Sequence, residues 1–296
     1  MDNTSIFDTI YQLPDAGVAR RAETLIGFQE KYGRVKNNLK LLLDQEGLSK
    51  WSQKFHDSEL PIIASMLDRY PLVILAGDVG TGKTASAEAM ADKITRELDK
   101  EGFFLKLSTR IRGEGLHGQM GNLVNTAFDR LKKEAGKRRL AFLLIDEADA
   151  IATTRSTIQM HQEEKAAVNT LIQKIDEVRE LKGRAIVFMS TNRLHFIDEA
   201  IVRRAAIVMQ YNRPNDTERE QLFKFDLAGV NLSDKEIQEL VRLTGPKAND
   251  GLGYSFSDLR LKLLPEAVAN CYPNRGLDYL VLKETVEKIA PSPKII

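Results

Sequence analysis

An apolar run, Leu72 to Ala76, empties into Gly77, Asp78, Val79, Gly80, Thr81, Gly82, Lys83 and Thr84, and the alanine-rich stretch from Lys83 onward reads as a helix. This G-x-x-x-x-G-K-T between a buried strand and a helix constrains the chain more than any other feature, because the motif's chemistry needs that setting. Gly80 and Gly82 let successive backbone N–H groups face inward around phosphate oxygens, and the positive end of the following helix adds to that field. Lys83 is placed to reach β and γ phosphates, and Thr84 to offer its hydroxyl to Mg²⁺.

A chain of 296 residues has room for about two domains. Its 43 basic and 42 acidic residues leave a net charge of +1, which gives no sign of the broad basic surface expected of a protein that lives on nucleic acid. The single cysteine, Cys271, fits a reducing compartment. No signal peptide and no apolar run near 18 residues is visible, so a soluble cytoplasmic protein with no membrane contact is expected.

Four more strands are expected at Phe103 to Leu107, Leu140 to Ile145, Ala185 to Met189 and Ile207 to Tyr211. Leu140 to Ile145 suits a strand buried on both faces, and such a strand delivers its last residues to the carboxyl edge of the sheet, where phosphate loops lie. There Asp146 can support a Mg²⁺ shell and Glu147 can polarise an attacking water. The fourth strand ends in Ser190, Thr191 and Asn192, which brings an amide to the same edge. Arg203 and Arg204, just before the last strand, suit a finger offered to a neighbour's nucleotide, or else a surface ion pair. Residues 1 to 23 read as an amphipathic arm, packed on its own domain or touching another subunit. The glycine-dense segment from Arg110 to Leu123 puts Leu116 and His117 in a mobile loop. After Asn212 the strands stop. Thr217 with Glu220 and Ser233 with Glu236 fit capping boxes, a further helix starts near Ser257 with Arg260 in its first turns, and a last helix covers about Leu277 to Ile289.

These pieces in this order resemble an AAA+ ATPase. The resemblance implies Walker A at Gly77 to Thr84, Walker B ending in Asp146 and Glu147, sensor 1 at Asn192, the arginine finger at Arg204 with Arg203 beside it, and sensor 2 at Arg260. Ile26, Gly27 and Ala85 join the implied nucleotide contacts, and Leu116 with His117 occupy the pore-loop position. The implied fold is a P-loop α/β module with a parallel five-stranded sheet between helices (24–212), preceded by the arm (1–23) and followed by a small helical lid (213–296). Within that family GNLV at Gly121 to Val124, LLIDEADAI at Leu143 to Ile151, AVNTLIQKIDEV at Ala167 to Val178, DEAIVRRAAIVMQYNRP at Asp198 to Pro214 and SFSDLRLKLLP at Ser255 to Pro265 are similar to the pachytene-checkpoint ATPases, which remodel HORMA-domain proteins. The short arm and the non-aromatic pore loop depart from the eukaryotic members and are similar to the compact bacterial branch. That branch implies a homo-hexamer using ATP and Mg²⁺ on a HORMA-domain partner, alone or with a cyclic-oligonucleotide synthase, in anti-phage signalling. Two other classes stay open at this point: a helicase or clamp loader on nucleic acid, and an ATP-gated scaffold with little turnover.

Overall fold

The computed structural model describes residues 6–108, 120–153 and 162–294. They form two compact units. The first takes the chain through Thr24, Phe28–Ala76 and Thr84–Gln210; the second takes Leu25–Gly27, Gly77–Lys83 and everything from Tyr211. The phosphate loop therefore groups with the C-terminal helices, while the helix that follows it belongs to the first unit.

Along the chain the elements are β1 (Phe7–Leu13), α1 (Ala16–Glu23), α2 (Phe28–Leu43), α3 (Gln45–His56), α4 (Pro61–Leu67), β2 (Leu72–Gly77), α5 (Lys83–Glu97), β3 (Gly102–Leu107) and α6 (Met120–Ala135). They continue with β4 (Leu140–Ile145), α7 (Gln162–Val178), β5 (Ala185–Thr191), α8 (Glu199–Arg204) and β6 (Ile207–Tyr211). The sheet order is β1-β3-β4-β5-β2-β6. Neighbours β3 and β4, β4 and β5, and β5 and β2 run parallel. Every residue of β4 and β5 is buried, as strands covered by helices on both faces require. On one face Leu123, Val124, Ala127, Phe128 and Leu131 of α6 and Val168, Leu171 and Ile175 of α7 close over Ile74, Leu143 and Val187. Spacings of three and four residues on each helix create that stripe.

The sheet has six strands among the described residues, not five, and the sixth is the expected arm. β1 pairs antiparallel with β3, its Tyr11 ring stacks on Phe104 at 5.4 Å, and Phe7 and Leu13 are buried. Asp15 caps α1 through Val18 N–H, its own N–H donates to Asp92 Oδ1 at 2.7 Å, and Arg96 donates to its carbonyl at 3.0 Å. The arm is thus an edge of the sheet bolted to α5. Its partners lie about a hundred residues away, beyond the reach of a local reading.

The second unit contains α9 (Asp216–Asp226), α10 (Asp234–Leu243), a π-helical turn over Asp258–Leu263 that runs into α11 (Leu264–Ala269), and α12 (Tyr279–Lys288). Leu222, Phe223, Leu240, Leu259, Leu263 and Leu282 make its core, and Ile26 packs against it. Ser233 and Glu236 form the expected capping box. The other box is Asn215 with Glu218, not Thr217 with Glu220. Both readings satisfy the local rule; the earlier start lets Arg219 bury fully and donate to Val241 O and Pro214 O.

Candidate nucleotide site

In the first unit the parallel register sets Ile145 opposite Met189, so the next residues, Asp146 and Ser190, leave the sheet side by side. Asp146 is a hub. Thr84 Oγ1 donates to Asp146 Oδ2 at 2.9 Å, Ser190 Oγ donates to Oδ1, and Lys106 Nζ stands 3.4 Å from Oδ2. Burial alone would raise this carboxyl, but the two hydroxyls and the ammonium outweigh it and hold the carboxyl below the usual carboxylate range. An ionised carboxylate touching a threonine hydroxyl is a hard-oxygen donor set, which fits Mg²⁺ completed by phosphate and water oxygens. No group of three or more His, Cys, Asp or Glu side chains able to hold a metal occurs among the described residues.

Glu147 follows in the left-handed region at φ 47°, with its side chain exposed. That conformation is costly for a non-glycine residue. Asn192, half-buried, lies one residue beyond β5. The loops around both are tied together: Thr191 Oγ1 donates to Asp149 Oδ1 at 2.9 Å and accepts from Arg193 N–H at 3.0 Å.

In the second unit the phosphate loop is held at several points. Gly77 has φ 150°, and a Cβ there would lie 1.9 Å from Tyr211 O, so only glycine fits. Lys83 is buried and donates Nζ to Gly77 O at 2.9 Å and to Asp78 O at 2.7 Å. Thr81 Oγ1 donates to Asp78 O at 2.7 Å. Gly80 sits on the Ser255–Ser257 turn, whose Ser257 N–H donates to Gly80 O at 3.1 Å.

The model of the ATPase family associated with various cellular activities (AAA) matches residues 73–213. CD-NTase-associated protein 6 of Escherichia coli (strain KTE188) is 46% identical over 294 residues, covering 99% of this chain and 98% of its own. The chain is a member of this AAA ATPase family. Among solved structures, a chain of the E. coli MS115-1 HORMA:CdnC:Trip13 complex superposes with a TM-score of 0.91 at 37% identity, covering 100% of this chain and 99% of that one. A Rhizobiales Trip13 follows at 0.75 and 31%, covering 97% and 99%.

For an AAA ATPase the expected residues fall into three groups. Thr84 and Asp146 meet directly, and Glu147 follows them on the same turn. Ala85 is half-buried in α5, and Gly27, at φ 71°, follows Ile26 in the helical unit. All three arginines are ion-paired within the chain. Arg204, expected to be the transferable finger, binds Asp176 through Nε at 2.6 Å and Nη2 at 3.1 Å, donates to Ala200 O, and lies over the Tyr70 ring at 5.3 Å. The Asp176 hydrogen bonds raise its pKa against a smaller effect of burial. Arg203 is 80% exposed and pairs with the equally exposed Glu199 at 3.1 Å. Arg260, expected to sense phosphate, pairs with Asp226 through Nε at 2.6 Å and Nη2 at 2.9 Å. Leu116 and His117 lie outside the described residues.

Lys106 and Ser190 at Asp146, and Arg213 at Asp78, were not singled out from sequence. Lys106 did carry a signal, a cation near the end of the otherwise apolar β3, and Ser190 stood beside Asn192 in the same polar strand end.

Proposed function

We propose that this AAA ATPase is an ATP-driven protein remodeller acting on a HORMA-domain partner within a CD-NTase-based anti-phage system, as a hexameric ring. The observation that carries the reading is the near-full-length match to a Trip13 chain solved together with HORMA and CdnC, at 37% identity and a TM-score of 0.91. Near-neutral charge disfavours a nucleic-acid machine.

In this reading the phosphate loop and Lys83 hold the triphosphate, while Thr84 and Asp146 hold Mg²⁺. Bound there, the metal would neutralise charge on the β and γ oxygens. Lys83 exchanges its two loop carbonyls for phosphate oxygens, Glu147 accepts a proton from the attacking water, and Asn192 orients that water. The trans-acting guanidinium is Arg203 rather than Arg204, since the latter ties α8 to Asp176 of α7 and to Tyr70. Arg260 would have to release Asp226 before meeting a phosphate. Leu116 and His117 remain the candidates for gripping the partner.

The test compares the parent with Glu147→Gln on ATP binding, ATP hydrolysis and disassembly or unfolding of a HORMA-domain protein. The variant is expected to bind ATP normally, to lose hydrolysis by about 10²–10⁴-fold, and to hold the HORMA protein without releasing it. Parental hydrolysis in the variant would remove Glu147 as the base. ATP turnover that never alters a HORMA protein would remove the partner assignment while leaving the enzyme.

A further inference from the structure

The second residue of the phosphate loop is a carboxylate, Asp78, whose side chain is only 9% exposed. An anion at that place repels incoming phosphates strongly, because partial burial weakens solvent screening. Its Oδ1 accepts from the Val79 N–H at 2.8 Å, so the carboxylate is built into the loop's own backbone. Its Oδ2 accepts from Arg213 Nε at 2.6 Å.

Arg213 is 11% exposed at its side chain and uses its planar fork on three separate segments of the helical unit. Besides Asp78, Nη1 donates to Gly253 O at 2.7 Å and stands 3.9 Å from Asp258 Oδ2, a carboxylate already served by Lys262 and two serines, and Nη2 donates to Ser292 O at 2.7 Å and to Pro293 O at 3.4 Å. Gly253 leads into the Ser255–Ser257 turn on which Gly80 rests, and Ser292 belongs to the C-terminal segment. One guanidinium thus joins the start of the phosphate loop, the turn beneath its middle, and the tail of the chain.

We propose that Arg213 is a positioning residue for the phosphate loop: it neutralises Asp78 and fixes that residue against Gly253 and Ser292, and so sets the affinity of the loop for nucleoside triphosphates. This rests on the nucleotide reading above. The charge of the pair, not its shape alone, carries the effect. A triphosphate brings one phosphate more than a diphosphate, so losing the guanidinium penalises ATP more than ADP.

Equilibrium titrations of MgATP and MgADP on the full chain test this, alongside unfolding temperatures without nucleotide. Arg213→Gln is expected to weaken MgATP binding about tenfold and MgADP binding less, and Arg213→Lys, which keeps the charge, to stay within about threefold of the parent for both. Adding Asp78→Asn to Arg213→Gln returns MgATP affinity to within about threefold of that of Asp78→Asn measured alone. Rescue by removing the carboxylate distinguishes charge neutralisation from simple loss of fold. Parental ATP affinity in Arg213→Gln, equal losses for ATP and ADP, or no rescue in the double variant overturns the role given to Arg213. If Arg213→Gln does not fold, the titrations are read on Arg213→Lys, where a loss beyond about tenfold overturns the charge argument. A parent that binds neither nucleotide removes the nucleotide reading itself, whereas a parent that binds ATP with no coupling removes only this inference.

Discussion

Two aspartates, the half-buried Asp146 in the first unit and the fully buried Asp258 in the second, are both held ionised and yet are built for different ends. Asp146 in the first unit takes its support from side chains that have other work: a threonine hydroxyl, a serine hydroxyl and a lysine ammonium. Asp258 in the helical unit is fully buried and takes its support from Ser255 N–H at 3.0 Å, Ser255 Oγ at 2.8 Å, Ser292 N–H at 3.2 Å, Ser292 Oγ, and Lys262 Nζ at 3.0 Å. Burial pushes both carboxyls up, and in both the hydrogen bonds prevail, driving Asp258 far below the usual carboxylate range. The difference lies in what can be exchanged. Backbone donors cannot leave Asp258 without unfolding a turn and the tail, so that carboxylate is architecture. The hydroxyl at Asp146 can swing to a cation, so that carboxylate is a reagent.

The largest effect that would sharpen this contrast is on turnover. Arg203→Ala is expected to lower ATPase by about 10³-fold or more while leaving the unfolding temperature within about 1 °C of the parent. Arg204→Ala should do the reverse in kind, costing about 1–3 kcal/mol of stability through the unpaired Asp176, with turnover falling only as far as α8 loosens. Steady-state rates and thermal unfolding on the same preparations decide it, and an exchange of those two outcomes would return the finger to Arg204.

Asp258→Ala comes next. It strands the buried ends of Ser255 and Ser292 and an adjacent Lys262, and is expected to destabilise the helical unit by about 3–5 kcal/mol in denaturant titration. Asp146→Asn keeps the shape of a side chain that is itself partly exposed, so it should cost less than about 1 kcal/mol yet abolish Mg²⁺-dependent turnover. Comparable stability losses for the two would erase the distinction between architecture and reagent.

A smaller effect appears with pH. Asp258 has its folded pKa depressed, so its contribution is fully present above the unfolded value of about 3.9 and is lost as pH falls below it toward the folded pKa. The helical unit should therefore lose stability progressively below about pH 4, and Asp258→Asn should flatten that part of the profile. An unchanged acid limb in the variant would place the acid sensitivity elsewhere. The smallest effect is expected from Ser190→Ala, which removes one of the hydroxyls on Asp146 and should raise the Mg²⁺ concentration needed for half-maximal turnover by only about two- to fivefold.

How far the sequence carried the fold varied with distance along the chain. The phosphate loop, the strand ending in Asp146 and Glu147, and the Ser233 cap were legible because each is a local rule satisfied by neighbours: glycines where the backbone must turn, an apolar run that ends in carboxylates, and a hydroxyl three residues before a glutamate. The sixth strand was not, since Phe7 to Leu13 alternates weakly and becomes a strand only on meeting Gly102 to Leu107. Between Asn215 and Thr217 the local rule was indifferent, and the burial of Arg219 broke the tie.

By itself, then, the order of residues determined that this chain builds a phosphate loop, places Asp146 and Glu147 at a strand end, and closes with a set of capped helices. Only the tertiary structure decided which of two adjacent arginines is committed and which is exposed, that Arg260 is engaged by Asp226, and that Arg213 guards the phosphate loop. The physical reason is that a backbone conformation is set by residues a few positions away, whereas a guanidinium is claimed by whichever carboxylate the fold brings within about 3 Å, and that carboxylate can lie anywhere in the sequence.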